Sequence, residues 1–184
     1  MSSKNEEYKV RLRKCKKTDS IKSETWKSSN GFIYCPHGPA MKQWDTNGRL
    51  TDEIWHNCFG FRHRKDGPAT IHRDYEDGTV SEMYFLNGRL DRSGQDLPSA
   101  TVKTEDGTVI DEWFYSQGKL HRDNQKPAMI RRHHKTGVAY HESVWEMGHC
   151  ISVIERDKKS GAVTYTGPPT ENHQNEFISD GYSI

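Results

Sequence analysis

The stretch Gly60–Phe85 reads GFRHRKDGPATIHRDYEDGTVSEMYF, and a shorter stretch, Gly118–Ile130, reads GKLHRDNQKPAMI. Both contain a glycine, then His-Arg, then Pro-Ala, and then the start of an apolar segment. A phrase that returns in the same order within one chain indicates an internal repeat. Such a repeat decides the fold.

Three kinds of residue recur with one period: a proline before an apolar segment, a glycine in a turn, and a glutamate followed closely by a ring. Successive members of the proline, glycine and glutamate series are 29 or 30 residues apart. The prolines and glycines are Pro39, Pro68, Pro98, Pro127, Gly48, Gly78, Gly107 and Gly137. The glutamates and rings, called the ladder here, are Glu24, Glu53, Glu82, Glu112, Glu142, Trp26, Trp55, Tyr84, Phe114 and Trp145.

One repeat is clearest over Ala69–Arg92. A strand ATIHRD is followed by the turn YEDG, a second strand TVSEMYFL, an Asn-Gly turn and a short strand RLDR. Asp-Gly and Asn-Gly favour tight hairpin turns because both turn positions need positive φ. No segment of twelve residues has helical periodicity. The sequence therefore predicts an all-β protein, an elongated antiparallel meander of about five hairpin repeats with a period of 29–31 residues.

The repeats set the predicted domain boundaries. Residues 1–7 form an N-terminal tail, residues 8–166 form the β-repeat domain with degenerate repeats at both ends, and residues 167–184 form a polar C-terminal tail. Tyr8–Trp26 is predicted to be the first terminal repeat, because Ser23-Glu24 precedes Ser81-Glu82 by two periods. The tail after Gly167 is predicted to be extended or held by a partner.

The composition narrows the classes of function. The chain has 27 basic and 26 acidic residues and a net charge of +1, which argues against a protein that is attracted to nucleic acid over its whole surface. Hydrophobic residues make up only 32%, but there are five Trp and eight Tyr. We therefore expect a thin core built on rows of rings.

The compartment is predicted from the termini and the cysteines. The first ten residues, MSSKNEEYKV, lack the apolar region of a secretory signal, and no apolar stretch is long enough to cross a membrane. The four cysteines are scattered and are expected to be reduced thiols. A cytoplasmic-type, reducing compartment follows from this interpretation.

The repeated residues resemble a long variant of MORN repeats. The pattern is Glu-x-aromatic, Gly-x-x-His-Arg, Pro-Ala and Asp-Gly-Thr, as in the unit that begins at Glu53. Asp91-Arg92 and Cys35-Pro36-His37 depart from the His-Arg position. The resemblance implies a viral or phage protein, in a host cytoplasm or a virion, that binds other proteins. Its role would be a minor structural component of a particle or an inhibitor of a host factor.

Basic residues form two candidate anion-binding groups, one near the N-terminus and one in the sequence RRHHK. As a structural interpretation, both are solvated strand faces; as a functional one, they bind nucleic acid or anionic lipid. In the His-Arg pairs, His63-Arg64 and His121-Arg122, each arginine is predicted to pair with a glutamate on a neighbouring strand. The candidate anion-binding residues are Arg11, Arg13, Lys14, Lys16, Lys17, Arg131, Arg132, His133 and His134.

A metal site is the remaining alternative. Cys35, His37, His56 and Cys58 have zinc-ligand chemistry, although only one residue separates the members of each pair. No nucleophile, phosphate-loop or metalloprotease motif is present, and a repeat distributes like residues evenly. We therefore predict no enzymatic activity and no cofactor.

Overall fold

The computed structural model of the chain describes residues 7–16, 18–171 and 173. Lys17 and most of the two predicted tails lie outside the described residues. A short 3-10 helix covers Ser93–Gln95. The strands are β1 (Tyr8–Lys14), β2 (Ile21–Ser28), β3 (Met41–Trp44), β4 (Leu50–Ile54), β5 (Thr70–Asp74), β6 (Thr79–Met83), β7 (Phe85–Leu86), β8 (Arg89–Leu90), β9 (Ala100–Thr104), β10 (Val109–Trp113), β11 (Tyr115–Ser116), β12 (Lys119–Leu120), β13 (Pro127–Arg132), β14 (Ala139–Glu146), β15 (His149–Arg156) and β16 (Val163–Gly167).

Twelve of these strands form one sheet in the order β1-β2-β3-β4-β5-β6-β9-β10-β13-β14-β15-β16. Each strand is antiparallel to its neighbours, and β1 and β16 are the two edges, so the sheet is open and not closed into a barrel. The predicted all-β antiparallel meander is confirmed. The N-terminal hairpin is part of it, because β1 pairs with β2 from Tyr8 opposite Ser28 onward.

The register places the five ladder glutamates in one row across the sheet. Glu24 lies opposite Lys42, which lies opposite Glu53, and the row continues strand by strand. Residues that are directly opposite share a face, so the row lies on one face. The row is Glu24, Lys42, Glu53, Ile71, Glu82, Thr101, Glu112, Ile130, Glu142 and Ile154.

The hydrophobic core is thin and is divided between the two faces. On the face opposite the glutamate row, Trp113 and Met129 pack with Ala100 and Val102. On the glutamate face, the second cluster comprises Phe114, Ala128, Ile130 and Trp145. Both clusters lie in the C-terminal half of the sheet. The strands that carry them therefore have more apolar support than β1, of which only Tyr8 is partly buried.

The connections alternate between the two ends of the sheet. At one end the strands are joined by short turns. At the other end most are joined by longer segments, two of which contain the small hairpins β7–β8 and β11–β12, while β14 and β15 are joined there by the tight turn Met147-Gly148. This second end is called the hairpin end. Its small hairpins stack on one another, because the N–H groups of Gly88, Gly118 and Gly148 each donate to a carbonyl of the preceding unit at 2.8 Å.

Beyond β16, the described residue His173 packs against the sheet. His173 is 6% exposed, and its Nε2 lies 3.2 Å from Glu155 Oε1. Its ring centroid lies 5.1 Å from that of Tyr165. β16 reaches Gly167, the first residue of the predicted tail, so the ordered sheet and its covering extend beyond the predicted boundary at residue 166.

Candidate functional site at the hairpin end

The arginines of the His-Arg position stack on the ladder rings at the hairpin end. The guanidinium carbon of Arg64 lies 4.0 Å from the ring centroid of Trp55, and Arg122 lies 3.7 Å from Phe114. Arg92, in the unit where aspartate replaces the histidine, lies 3.8 Å from Tyr84. Such cation–π contacts contribute roughly 0.5–1 kcal/mol at exposed sites and more when they are desolvated.

A second contact fixes the plane of each guanidinium group. Nη1 of Arg64 donates to the carbonyl oxygen of Pro68 at 3.3 Å. Arg92 and Arg122 donate in the same way to the carbonyls of the next two repeat prolines, at 3.4 and 3.2 Å. The recurring proline therefore supplies an acceptor as well as a strand start.

The prediction that these arginines pair with glutamates is wrong. The ladder glutamates bind other cations on their own face of the sheet: Glu53 accepts from Arg73 at 2.8 Å, and Glu82 accepts from Lys103 at 2.6 Å. The His-Arg arginines come after the main strands have ended, in loops that pass beside the ladder rings, so they contact these rings and not the glutamates. The other pairs are Glu24 with Lys42, Glu112 with Arg132, and Glu142 with Arg156.

Between two of the hairpin-end loops lies a cleft of about 580 Å³, called the basic cleft. Loops 63–67 and 91–95 form its walls. Its lining combines charged and apolar groups, among them His63, Arg64, Lys65, Leu86, Asp91 and Arg92.

The carboxylate of Asp91 is already occupied by donors of the protein. It accepts hydrogen bonds from the Ser93 backbone N–H and hydroxyl, and from the Gln117 backbone N–H at 3.0 Å. Burial raises the pKa of Asp91, but these hydrogen bonds outweigh it, so the pKa lies below its ordinary value. Among the described residues, no carboxylate lies within ion-pair distance of Arg64 or Arg92.

A second cleft, of about 440 Å³, lies two units further along the sheet and includes Arg122. Here the arginine is neutralised, because its Nε donates to Asp96 at 2.8 Å. Lys126 also contacts Asp96, at 2.6 Å. The hydrogen bonds from Arg122 and Lys126 lower the pKa of Asp96 to about 2. The two clefts therefore share a repeat position and differ in charge.

The two predicted basic groups are not brought together. β1 and β13 are the first and ninth strands of the sheet, so eight strand spacings, roughly 38 Å, separate them. Arg132 binds Glu112, and His133 lies 3.2 Å from the Thr136 hydroxyl in the following turn. On β1, Lys14 pairs with Asp19 at 2.8 Å, whereas Arg11 and Arg13 are exposed. Lys16, also exposed, follows that strand.

The zinc alternative is not supported by the geometry. Within the described residues, which include all four proposed ligands, no group of three or more His, Cys, Asp or Glu side chains could hold a metal ion. His56 pairs with Arg62 across an isolated bridge, and burial followed by the charge of Arg62 lowers its pKa. Cys58 is exposed at the following turn, whereas Cys35 and His37 lie on the preceding unit's loop.

A row of exposed apolar side chains follows the hairpin end and was not predicted. Phe32, Phe59, Phe61 and Leu86 are 46%, 67%, 54% and 52% exposed. They are called the apolar edge. The sequence carried a signal for it, because the residue after each small-hairpin glycine is Phe in the first two units and Arg, Lys and His in the next three.

No family model, curated protein or solved structure matches the chain. The described part of the chain also contains no helix long and apolar enough to cross a membrane. Function is therefore inferred from the repeats, the contacts and the exposed surfaces of this molecule.

Proposed function

We propose that the chain is a non-enzymatic β-repeat protein whose hairpin end binds a segment of another protein. The observation that carries this proposal is the apolar edge. Exposed large apolar groups aligned on one side of a protein are typical of an interaction site. Covering one half-exposed phenyl ring contributes on the order of 1 kcal/mol, so several together supply a useful share of a binding free energy.

The apolar edge is held in a fixed shape. Asn57 Oδ1 accepts from the backbone N–H groups of Phe59 and Phe61 at 3.0 and 3.1 Å. Its Nδ2 donates to Asn87 Oδ1 of the next unit at 3.1 Å. A preformed surface loses little conformational entropy on binding, which favours affinity.

Charge indicates the chemistry of the partner. Beyond the phenylalanines, the same repeat position carries exposed Arg89, Lys119 and His149. An apolar segment flanked by acidic residues would complement both parts of this edge. By the resemblance to long MORN-like repeats, the partner is a component of a viral or phage particle or a host factor that the chain inhibits.

The test is affinity capture of the tagged chain from its own cells, with nuclease present and a high-salt wash, followed by mass spectrometry. The Phe59→Ser/Phe61→Ser variant is compared with Val10→Ser, which also alters an exposed apolar side chain, 46% exposed, but on β1. We expect a stoichiometric protein partner on the wild type and on Val10→Ser, and its loss from the double variant. Equal retention by all three proteins would reject the apolar edge as the binding site.

A second candidate function is nucleic-acid binding along β1. Arg11 and Arg13 are exposed on this edge strand, and no carboxylate of the described residues lies within ion-pair distance of either. The Arg11→Gln/Arg13→Gln variant should weaken binding of a labelled single strand in fluorescence anisotropy. Wild-type binding should fall steeply with salt. Binding that is absent or insensitive to salt would reject this candidate.

A further inference from the structure

The basic cleft contains two cations whose side chains are held in place by the protein but whose charge no carboxylate neutralises. Arg64 and Arg92 each stack on a ladder ring and donate to a proline carbonyl. Neither has a carboxylate within ion-pair distance among the described residues. A guanidinium group that is fixed in plane and still has N–H donors matches the geometry of a carboxylate or a phosphate.

Backbone contact also shapes the position of Arg64. Gly67 lies against its guanidinium, and a Cβ at Gly67 would lie 3.1 Å from Arg64 Cζ. The guanidinium is therefore held between the Trp55 ring and the loop backbone. Preorganisation of this kind lowers the entropy cost of binding an anion.

The net charge of the cleft is positive. Its lining carries the cations Arg64, Lys65 and Arg92 against the carboxylates of Asp66 and Asp91. Asp66 is exposed, and the oxygens of Asp91 are engaged by Ser93 and Gln117. An incoming anion would thus meet two stacked arginines.

In the second cleft, an arginine at the same repeat position is neutralised by a carboxylate of the protein itself. Arg122 stacks on its ring as Arg64 and Arg92 do, but Asp96 occupies its Nε. In the basic cleft the Nε of Arg92 donates to a neutral acceptor, Gln95 Oε1, at 3.2 Å, and no carboxylate of the described residues pairs with Arg64 or Arg92. Stacking is thus a shared structural feature, whereas the uncompensated charge is particular to one position in the sheet.

We infer that the basic cleft binds an oxyanionic side chain of a partner protein, either a glutamate or aspartate carboxylate or a phosphate ester. Leu86 belongs both to the cleft lining and to the apolar edge, so a segment on the edge would bring its anion into the cleft. The volume of about 580 Å³ is within the range of ligand sites. The protein source of the anion rests on the proposed function.

The inference is tested by amide NMR titration of the full chain with three probes. These are N-acetyl-glutamate amide, N-acetyl-phosphotyrosine amide and neutral N-acetyl-glutamine amide. We expect saturable shifts in residues 63–67 and 91–95 with one or both anionic probes and none with the neutral probe. Response to both indicates an acidic or phosphorylated segment, and response to the phosphate ester alone indicates a phosphorylated one.

Variants assign the binding to the two arginines. Arg92→Gln should lower the affinity for the anionic probe about tenfold or more, as expected for loss of a charged hydrogen bond. The matched Arg122→Gln should lower this affinity less than about twofold. Gly67→Ala keeps every charge but displaces Arg64, so it should also weaken binding of the anionic probe. This second variant keeps the inference testable if Arg92→Gln does not fold.

Three results would overturn the inference: absence of saturable shifts, equal response to the neutral probe, or equal loss in Arg122→Gln and Arg92→Gln. The apolar-edge experiment fails separately. If the Phe59→Ser/Phe61→Ser variant keeps its partner while the anionic probes still bind the cleft, the proposed docking surface is wrong and the anion site remains.

Discussion

Phe114 is the ladder ring with the smallest exposure, 5%, and it packs with Ala128, Ile130 and Trp145. Trp55, its equivalent two units earlier, is only half-buried and is covered by Arg64. Phe114→Ala should therefore lower the free energy of unfolding by about 3–5 kcal/mol, and Trp55→Ala by less. Denaturant midpoints check this. Unchanged stability in both variants would contradict the role of the ladder rings in packing.

The ion pairs of Asp96 make the stability of the protein depend on pH. The folded pKa of Asp96 is about 2 against an ordinary 3.8, because Arg122 and Lys126 donate to it. A lowered folded pKa means that the ionised form is favoured, so the contribution to stability is present above about pH 3.8 and is lost as the pH falls toward 2. In a carboxyl-carbon NMR titration, Arg122→Gln should raise this pKa toward 3.8.

Asp106 is the internal control for that titration. Its pKa is also about 2, but the donors are Thr104 and Thr108. The pKa of Asp106 should therefore stay the same in Arg122→Gln. A parallel rise in both carboxyl groups would mean that the substitution loosened the structure generally, and the ion pair would not be the cause.

At the scale of the element, the stacking of the small hairpins depends on glycine. Gly88 has φ +86°, and a Cβ there would lie 3.2 Å from Phe61 Cδ1. Gly48 has a similar φ, +78°, with nothing within 4 Å. Gly48→Ala should cost roughly 1–2 kcal/mol for the left-handed backbone alone, and Gly88→Ala should cost more. Equal thermal unfolding midpoints in the two variants would show that close packing between the small hairpins does not contribute to stability.

The main strands could be predicted from the sequence because their signals are local. Asp-Gly turns and the glutamate series fix the hairpins, and the register then aligns Glu53 and Glu82 across Ile71. The partner of Arg64 could not be predicted, because it depends on how the chain turns after the strand. A glutamate partner was expected from opposite charge, but the structure gives the arginine a ring and a carbonyl.

The apolar edge was missed for a related reason. Phe32 and Phe61 each follow a glycine, but the composition predicts a core of rings and gives these two phenylalanines no role of their own. Their exposure follows from the third dimension, since the small hairpins stack through backbone bonds and leave these side chains outside. The change from Phe to Arg89 and Lys119 at the same repeat position was the available signal.

At the scale of the whole molecule, the sheet is a linear array in which each hairpin contacts its neighbours. The two larger buried clusters lie between β6 and β15, and a smaller one joins Ala69, beside β5, to Phe85 and Leu90, whereas six of the seven residues of β1 are exposed. Stability should therefore vary along the sheet. We expect the hydrogen-bonded amides of β1 to exchange through local opening, at a free energy lower than that of β13 by more than about 1.4 kcal/mol, a tenfold difference in rate.

Native-state hydrogen exchange in Phe114→Ala decides whether this gradient is real. If the sheet opens locally, the substitution lowers the exchange free energies of β10, β13 and β14, which surround Phe114, and leaves those of β1 unchanged. A single cooperative unit would instead transmit the loss to every strand, and β1 and β13 would exchange at one common free energy. The first result would mean that a partner at the apolar edge binds the less stable half of the sheet, where binding energy also stabilises the fold.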